Sequence, residues 1–431
     1  MKRVLYAAYY FPPAGGPGVQ RTLKFVRYLP LHGWMPTVIS VHPDHAAWPA
    51  VDESMLAEVP PQVEVRRTRS RDPYAAYARL RGRSKAASVG VGFADDQKAG
   101  WKERFARFVR ANLFIPDARV GWLPFLKDEI SRCLTGGSYD AIITSGPPHS
   151  THLAGMWASK KFGIPWLADF RDPWAELSYY DELPFLPWSR ALDRRHEANV
   201  LKTADSVVTV SPAIAAMIRK KSDQSVPVIP NGYDPEDFEN VGPIRGDGFQ
   251  LVHVGTLTAG QDPANVWAQV AGLRKAGLDV RVTLVGRVDS DVLASIAAAG
   301  LSEALELVPY VEHARAVAYM KGADLLLLCV PRTKNDTGIL TGKVFEYLAS
   351  GRPVLGLGPK DSDVSGLLQM SGQGSMLAYD DSSGIRAALE KASAEVSAGT
   401  VSASSNEYLR AYARPALAGQ LAAELNRITS A

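Results

Sequence analysis

The sequence predicts an α/β protein with two doubly wound, parallel-sheet domains and a cleft between them. Apolar runs short enough for strands alternate with segments of helical period along most of the chain, a pattern typical of parallel sheets. The 431 residues are enough for two domains of about 200 residues each. A polar stretch rich in glycine and proline, 235–249, interrupts the alternation near the middle and is the predicted linker.

Composition limits the class of protein. Hydrophobic residues make up 46% of the chain and charged residues 22%, which is typical of a globular protein. The formal net charge of +3 is too close to zero to favour nucleic acid as a partner. Cys133 and Cys329 each lie in an apolar or helical context and form no Cys-x-x-Cys motif, which favours buried thiols in a reducing compartment over a disulfide or a metal site. With no leader segment and no membrane-spanning apolar run in view, we expect a cytoplasmic protein.

The chain begins with a predicted strand, 4–9, a loop rich in proline and glycine, a helix at about 20–29 and a second strand, 36–41. A glycine loop at this point suits close approach of bare backbone to a ligand. The second strand ends without the acidic residue that would hold the ribose of NAD, so a dinucleotide site is disfavoured. A tight structural turn between strand and helix is the alternative.

Residues 66–110 are basic and less regular, but 101–113 regain a helical period. One side of this helix carries Trp101, Phe105, Phe108, Val109 and Leu113, and the residues that flank or oppose them include Lys102, Arg104, Arg107 and Arg110. A cationic amphipathic helix suits an anionic membrane surface. An ordinary helix packed on its own domain fits the same pattern, so both interpretations stay open.

Two predicted strands, 139–145 and 165–168, deliver polar loops to their carboxyl ends. The first loop carries His149, and the second carries Asp169, Arg171 and Asp172. Because ligands of open α/β sheets bind outside the carboxyl ends of strands, both loops are expected to face one crevice. Two acids around an arginine suit acid–base work and charge stabilisation. A buried structural Asp–Arg pair is the alternative.

Strands at 206–210 and 226–229 complete the first domain, which is predicted to span 1–234. The second domain, 250–405, has predicted strands at 251–254, 280–285, 305–308, 325–330, 354–357 and 376–378, with helices such as 263–275 and 290–299 between them. The remainder, 406–431, is predicted to form a helix that packs back toward the first domain.

The most informative stretch is 336–359, where a glycine loop leads into a helix and then a strand. Gly342 lies at the predicted helix start, Lys343 in the first turn, and Glu346 three residues on, roughly on the same face. A helix N-terminus with a cation suits a diphosphate. A carboxylate one turn deeper can accept hydrogen bonds from two ribose hydroxyls. A solvated i, i+3 ion pair, worth about 0.2–0.5 kcal/mol, is the alternative.

Four motifs together resemble the retaining, nucleotide-sugar-dependent glycosyltransferases of family 4, which have the two-domain, Rossmann-like fold called GT-B. They are FPPAGGPG at 11–18, ADFRDPW at 168–174, VIPNGYD at 228–234 and GKVFEYLASGRPVL at 342–355. The resemblance covers nearly the whole chain, and the last motif is the most specific.

The resemblance implies an acceptor-side first domain and a nucleotide-sugar donor domain after the linker. It implies that Glu346 holds the donor ribose, and that Lys343 and the amides around Gly342 hold the diphosphate. The other implied donor-binding residues are Gly16, Gly18, Gly255, Thr256 and Arg287. Candidate catalytic residues are Arg171, Asp172 and Lys343, and candidate acceptor-side residues are His149 and Asp169.

Some positions depart from the family pattern. A second glutamate, frequent eight residues before Glu346, is Gly338 here. The arginine and lysine frequent after the first strand of the donor domain are replaced by Thr256 and Gln261. The positive charge then has to come from Lys343, with Arg287, Arg332 and Lys334 as further candidates. A histidine is also frequent in the family where Phe-Arg-Asp stands here at 170–172.

The expected reaction moves a sugar from a nucleoside-diphosphate sugar to an acceptor, which is a lipid-linked or cell-envelope glycan or a small molecule. The sugar nucleotide is a co-substrate, and neither a metal nor another cofactor is expected. An anionic membrane surface is a further expected partner, which would make the protein peripheral on the inner face of the membrane. A sugar-nucleotide 2-epimerase of the same fold and an inactive sugar-nucleotide-binding relative stay open as alternatives.

Overall fold

The computed structural model describes residues 1–71, 101–176, 180, 183–333, 336–400 and 407–430. They divide into two compact units. The first unit comprises residues 1–230 together with the C-terminal segment from Pro415, and the second comprises residues 231–414. The segment 235–249, predicted as a linker, contains a 3-10 turn at Pro235–Phe238 and reaches the first strand of the second unit.

The first unit is built on a parallel sheet, in which six strands are described. They are β1 (Lys2–Ala7), β2 (Trp34–Val41), β3 (Glu64–Thr68), β4 (Ala141–Gly146), β5 (Trp166–Phe170) and β6 (Ser206–Thr209). Their order across the sheet is β3-β2-β1-β4-β5-β6, and all neighbouring pairs are parallel. The helices are α1 (Pro17–Tyr28), α2 (Trp101–Leu113), α3 (Leu123–Gly136), α4 (Ser150–Phe162), α5 (Pro187–Thr203) and α6 (Pro212–Arg219).

The second unit repeats this topology within its described residues. Its strands are β7 (Phe249–Val254), β8 (Val280–Val285), β9 (Leu305–Val308), β10 (Leu325–Cys329), β11 (Val354–Leu357) and β12 (Gly374–Leu377), in the order β12-β11-β10-β7-β8-β9. Its helices are α7 (Ala264–Lys275), α8 (Ser290–Ala298), α9 (His313–Gly322), α10 (Gly342–Ala349), α11 (Asp363–Ser371), α12 (Ser382–Ser397) and α13 (Glu407–Arg410). The predicted pair of doubly wound parallel sheets is confirmed.

Apolar clusters cover both faces of each sheet, as the helices of doubly wound folds require. The last helix, α14 (Arg414–Thr429), belongs to this packing in the first unit. Its Leu417, Leu421 and Leu425 are buried with Tyr6 and Leu23. Because these leucines recur every four residues, they form one stripe of the helix.

Three local predictions were wrong. β3 lies in the basic segment that was expected to be irregular, and its Arg66 is neutralised by Glu129 at 3.0 Å. The predicted strand at 226–229 forms only one parallel bridge, between Thr209 and Val228, because Pro227 and Pro230 have no N–H to donate. The single helix expected in 406–431 is two helices, α13 and α14.

Candidate functional site

Both sheets have a topological switch point, between β1 and β4 in the first unit and between β7 and β10 in the second. Strand order reverses there, so the loops that leave the two central strands run to opposite sides. Doubly wound sheets bind their ligands in the crevice that this creates at the carboxyl ends. In the second unit, the loop after β7 begins with Gly255, and the chain after β10 leads into α10.

α10 is held against the end of β7 by its buried side. Val344, Phe345 and Tyr347 are fully buried in the core of the second unit. The hydroxyl oxygen of Tyr347 accepts a hydrogen bond from the Val254 amide at 2.8 Å. This packing leaves Lys343 and Glu346 on the other, half-buried side of the helix.

Lys343 lies directly over the glycine that ends β7. Its Nζ is 3.4 Å from the carbonyl oxygen of Thr256, which is its hydrogen-bond partner among the described residues. Gly255 has a φ of 119°, and a Cβ there would overlap the Cε and Nζ atoms of Lys343. Burial lowers the pKa of Lys343, while Cys329 and Glu346 act to raise it. An ammonium with one long hydrogen bond retains donors for an anionic ligand.

Glu346 faces a histidine that the sequence did not single out. The Nε2 atom of His313 lies 3.8 Å from Oε1 of Glu346 and 3.2 Å from Oδ2 of Asp237. Burial acts to lower the pKa of His313, but the hydrogen bond with Asp237 and the charge of Glu346 raise it overall. Lys343 and Glu346 form no ion pair with each other in the described structure, contrary to the solvated-pair alternative.

The other cationic side chains predicted at the carboxyl end of this sheet differ in their exposure and in their contacts with neighbouring groups. The Arg287 side chain is 80% exposed and lies 3.9 Å from the carboxylate of Asp289. The guanidinium of Arg332 stacks over Tyr379 at 4.0 Å and donates to the Asp262 carbonyl at 3.0 Å. Lys334 lies outside the described residues. Arg287 is therefore better placed than Arg332 to support Lys343.

Two of the positions that depart from the family pattern, Gln261 and Gly338, are buried, whereas Thr256 is exposed. Gln261 donates from Nε2 to the Cys329 carbonyl at 2.8 Å, so its amide ties the loop after β7 to the end of β10. Gly338 lies in a 3-10 turn at Asp336–Gly338. Neither residue brings charge to the crevice.

In the first unit, the glycine loop follows β1 at the switch point. Gly16 is the N-cap of α1 and has a φ of 100°, which favours glycine. The Gly15 amide donates to the Ala50 carbonyl at 2.9 Å, so a neighbouring segment supports the loop. A Cβ at Gly18 would lie 3.0 Å from Nη1 of Arg171. The loop therefore packs closely against a predicted site residue.

Arg171 binds the backbone of two loops. Its Nε donates to the Gly146 carbonyl at 3.2 Å, and its terminal nitrogens donate to the carbonyls of Gly18 and Pro147. These carbonyls follow β1 and β4, so the guanidinium joins the loops at the switch point. A direct catalytic role of Arg171 stays a prediction.

Asp169 is one half of a buried ion pair, but its partner is Arg21 of α1. Oδ1 of Asp169 lies 2.8 Å from Nη2 of Arg21, and both side chains are at most 2% exposed. Ser145 donates a further hydrogen bond to Oδ2 at 3.0 Å. Arg21 also donates to the carbonyls of Ile229 and Pro230 at 2.7 and 2.9 Å. This is the structural arrangement left open above, and an acceptor-side role for Asp169 remains a prediction.

The histidines of the β4 loop are buried in an aromatic stack. His149 stacks on Trp174 with ring centroids 4.7 Å apart, and His152 stacks on Phe170 at 4.5 Å. Burial, with the charge of Arg171, lowers the pKa of His149 to about 3. His149 is therefore neutral at physiological pH and does not act as a general acid in this state.

Asp172 follows β5, and its carboxylate is available to a ligand at the carboxyl end of the first sheet. It is half-buried, and it makes no hydrogen bond or ion pair with the described residues. Burial raises its pKa, Arg171 acts to lower it, and Asp169 adds to the rise. A carboxylate with a raised pKa beside a guanidinium suits proton transfer. Of the predicted catalytic residues in the first unit, Asp172 is the one with its functional group unused.

The helix at 101–113 forms with the predicted bounds as α2. Phe105, Phe108 and Leu113 are 62%, 39% and 67% exposed. The side chains of Trp101 and Lys102 lie outside the described ones, as does the basic segment 72–100. Of the aromatic residues described on this helix, both face solvent.

Two features are absent from the residues that the structure describes. No helix among them is long and apolar enough to cross a membrane. No group of three or more histidine, cysteine, aspartate or glutamate side chains in the same residues is arranged to hold a metal ion.

Residues 89–237 match the sequence model of Glycosyltransferase Family 4. This segment belongs to glycosyltransferase family 4. With its two Rossmann-like sheets, the chain is a glycosyltransferase of the GT-B type. No curated protein matches this glycosyltransferase in sequence.

Solved structures place the glycosyltransferase in the same fold. Sucrose-phosphate synthase from Thermosynechococcus elongatus has 14% identity and a TM-score of 0.64, with 99% of this chain and 98% of that one covered. HepE of Anabaena in complex with UDP-glucose has 12% identity and a TM-score of 0.61, with 99% and 100% covered. A Listeria monocytogenes protein assigned as a UDP-N-acetylglucosamine 2-epimerase has 10% identity and a TM-score of 0.54, with 98% and 95% covered. At these identities the likeness establishes the fold.

Sequence reasoning missed His313 and Arg21. Neither lies in a motif with its partner, because Asp237 is 76 positions from His313 and Asp169 is 148 positions from Arg21. An arginine early in α1 and an aspartate ending a buried strand were visible, but nothing local pairs them. For His313, the signal available was its position at the start of a helix that follows a strand.

Proposed function

We propose that this glycosyltransferase transfers a sugar from a nucleoside-diphosphate sugar to an acceptor, with retention of configuration. The observation that carries the proposal is the placement of Lys343 over Gly255, with Glu346 one helical turn deeper. A cation with unused donors beside a helix N-terminus matches a diphosphate. Support also comes from HepE, whose structure contains UDP-glucose.

In this proposal the second unit holds the donor. Glu346 accepts hydrogen bonds from the ribose hydroxyls, and Lys343 and the Gly342 amide bind the diphosphate. Gly255 and Thr256 approach the phosphates with bare backbone, and Arg287 adds charge from the loop after β8. From the first unit, Gly16 and Gly18 approach the donor sugar and its phosphate.

The reaction breaks the bond between the anomeric carbon and the phosphate oxygen, and the electron pair stays on the departing diphosphate. Lys343 and the amides at the start of α10 stabilise this charge more strongly in the transition state than in the ground state. A new bond forms between the anomeric carbon and the acceptor oxygen on the face that the diphosphate leaves, so the configuration is retained. Asp172 is the group we assign to accept the acceptor's proton, and Arg171 positions the loops around it. His149 and Asp169 lie on the acceptor side in this proposal.

The acceptor we favour is a lipid-linked or other envelope glycan, as in polysaccharide biosynthesis, presented at an anionic membrane surface. The supporting observation is the exposure of Phe105, Phe108 and Leu113 on a helix that also carries an exposed Arg104. Apolar side chains with a basic flank are suited to the interface of an anionic leaflet.

Acceptor-dependent release of free nucleoside diphosphate tests the proposed reaction. The purified chain is incubated with a sugar nucleotide, with and without membrane extract as acceptor source, and the products are resolved by NMR. A transferase releases nucleoside diphosphate only with acceptor, and the product keeps the anomeric configuration of the donor. An epimerase converts the donor without an acceptor, and an inactive relative binds the donor and releases nothing. Asp172→Asn should abolish release while leaving donor binding unchanged.

A further inference from the structure

A groove on the first unit has no role in the proposed sugar transfer. It has a volume of about 500 Å³ and lies among α3, α4 and α5. Its apolar lining comes from Leu123, Leu153, Met156 and Trp157. A volume of this size is within the range of small-molecule pockets.

Three lysines surround this apolar lining: Lys127, Lys160 and Lys161. Lys127 and Lys161 place their ammonium groups 5.5 and 5.0 Å from the centre of the Trp157 ring. None of the three is within ion-pair distance of a carboxylate in the described residues. Burial lowers the pKa of Lys127, which is the cost of a cation without an anionic partner.

The nearby carboxylates of α3 are already occupied. Asp128 pairs with Arg132 along the helix, and Glu129 lies 3.0 Å from Arg66. The positive charge around the groove therefore has no counterpart within the described chain. Three cations beside an apolar surface are complementary to a molecule with an anionic head and a hydrocarbon chain.

Beyond the groove, α5 carries further exposed apolar side chains. Trp188, Leu192 and His196 recur every four residues and so share one side of α5. Trp188 and Leu192 are 53% and 38% exposed, and His196 lines the groove. Asn112 of α2 ties the two helices at this end, because its side chain accepts from the Leu186 amide at 2.7 Å and donates to the Pro184 carbonyl at 2.8 Å.

We infer that the groove binds an anionic membrane lipid, with its phosphate on the three lysines and its hydrocarbon chain along Trp157 and Leu153. Neutral lipids would not use the lysines, and a free phosphate would not use the apolar lining. The α5 stripe runs from this site to Trp188, near the start of α5, and Asn112 of α2 contacts the residues that precede this helix. The site does not depend on the transfer reaction and is absent from the roles assigned above.

Binding of dodecyl phosphate to the full chain tests the inference directly. We expect saturable binding that neither inorganic phosphate nor dodecyl maltoside competes away at equal concentration. Lys127→Gln/Lys160→Gln/Lys161→Gln should weaken it by at least about tenfold, since each basic residue near an anionic surface contributes about 1 kcal/mol. The control is Lys202→Gln/Lys220→Gln/Lys275→Gln, which removes equal charge from exposed positions and should leave binding unchanged. Equal loss in both triple variants would overturn the inference.

A ligand with a brominated hydrocarbon chain tests where that chain lies on the protein. Bromododecyl phosphate should quench part of the tryptophan fluorescence of the wild type, and Trp157→Phe should lose that part while keeping the affinity within about twofold. Quenching that is identical in Trp157→Phe would place the chain elsewhere. Competition by inorganic phosphate alone would reduce the site to an anion site, and equal binding of dodecyl maltoside would reduce it to an apolar groove. Vesicles of phosphatidylcholine with phosphatidic acid should compete for dodecyl phosphate, whereas pure phosphatidylcholine vesicles should not.

Discussion

The side chain of Lys343 occupies the space that a Cβ would need at Gly255. This relationship, together with the hydrogen bond from Lys343 to the carbonyl of Thr256, 87 positions away in the sequence, joins the end of β7 to the first turn of α10. It explains why a glycine stands at the strand end and why the ammonium can lie close to the Thr256 carbonyl. The same closeness would let a diphosphate contact both the backbone and the cation.

Gly255→Ala should therefore reduce donor affinity. The new methyl group displaces the end of Lys343, and the backbone at φ 119° adds strain of about 1–2 kcal/mol. Gly277→Ala is the matched control, because Gly277 has a φ of 97° and no atom within 4 Å of a Cβ built there. Calorimetric titration with a nucleoside-diphosphate sugar should separate them, with affinity lost only in Gly255→Ala. Equal affinities in the two variants would contradict this account of Lys343.

His313 should make the free energy of unfolding depend on pH. Its pKa in the folded state is raised above the ordinary value of about 6.5. The stabilisation it contributes is thus fully present below pH about 6.5 and is lost as pH rises through the folded pKa. The difference in unfolding free energy between wild type and His313→Asn should shrink from mildly acidic to alkaline pH. A difference independent of pH would argue against the contacts with Asp237 and Glu346.

The buried Arg21–Asp169 pair should matter for stability in a characteristic way. Arg21→Met leaves the Asp169 carboxylate buried and uncompensated, which costs about 3–5 kcal/mol. Arg21→Met/Asp169→Leu removes both charges and should recover a large part of that loss. Chemical denaturation followed by fluorescence measures both variants. A double variant that is no more stable than Arg21→Met would show that the lost contacts to Ile229 and Pro230 dominate instead.

The exposed side of α2 should hold the protein to anionic membranes. Liposome flotation should recover the wild type with anionic vesicles but not with neutral ones, and salt should weaken the effect. Phe105→Asp/Phe108→Asp should strongly reduce flotation without changing the circular dichroism spectrum, because both rings face solvent. Retained flotation would exclude α2 as the anchor, and loss of the folded spectrum would place these rings in the core.

Local patterns were sufficient for most of the fold. Strands such as β8, β9 and β11 have the predicted bounds, because each is a short, mostly apolar run between turns. β3 was missed because its sequence, Glu-Val-Arg-Arg-Thr, is mostly polar. The strand lies at the edge of the sheet, where Glu129 of α3 neutralises the charge of Arg66.

The sequence predicted the arrangement of site residues only where those residues lie close together along the chain. Lys343 and Glu346 share one helix, so their spacing placed them together. Asp169 and Arg171 were adjacent enough in sequence to be read as a pair, but tertiary packing gives each a different partner. The exposure of Trp188 could not be read from sequence, because it depends on which side of α5 the sheet covers.

The central claim is that Glu346 and Lys343 hold a nucleoside-diphosphate sugar, and calorimetry with UDP-, GDP-, TDP- and ADP-glucose tests it most directly. At least one of these should bind the wild type, and Glu346→Ala should weaken that binding by about 1.5–3 kcal/mol, the range for hydrogen bonds to a charged group. Glu390→Ala, which removes an exposed carboxylate paired with Arg386, is the control and should bind as the wild type does. Donor affinity that is unchanged in Glu346→Ala would contradict the account.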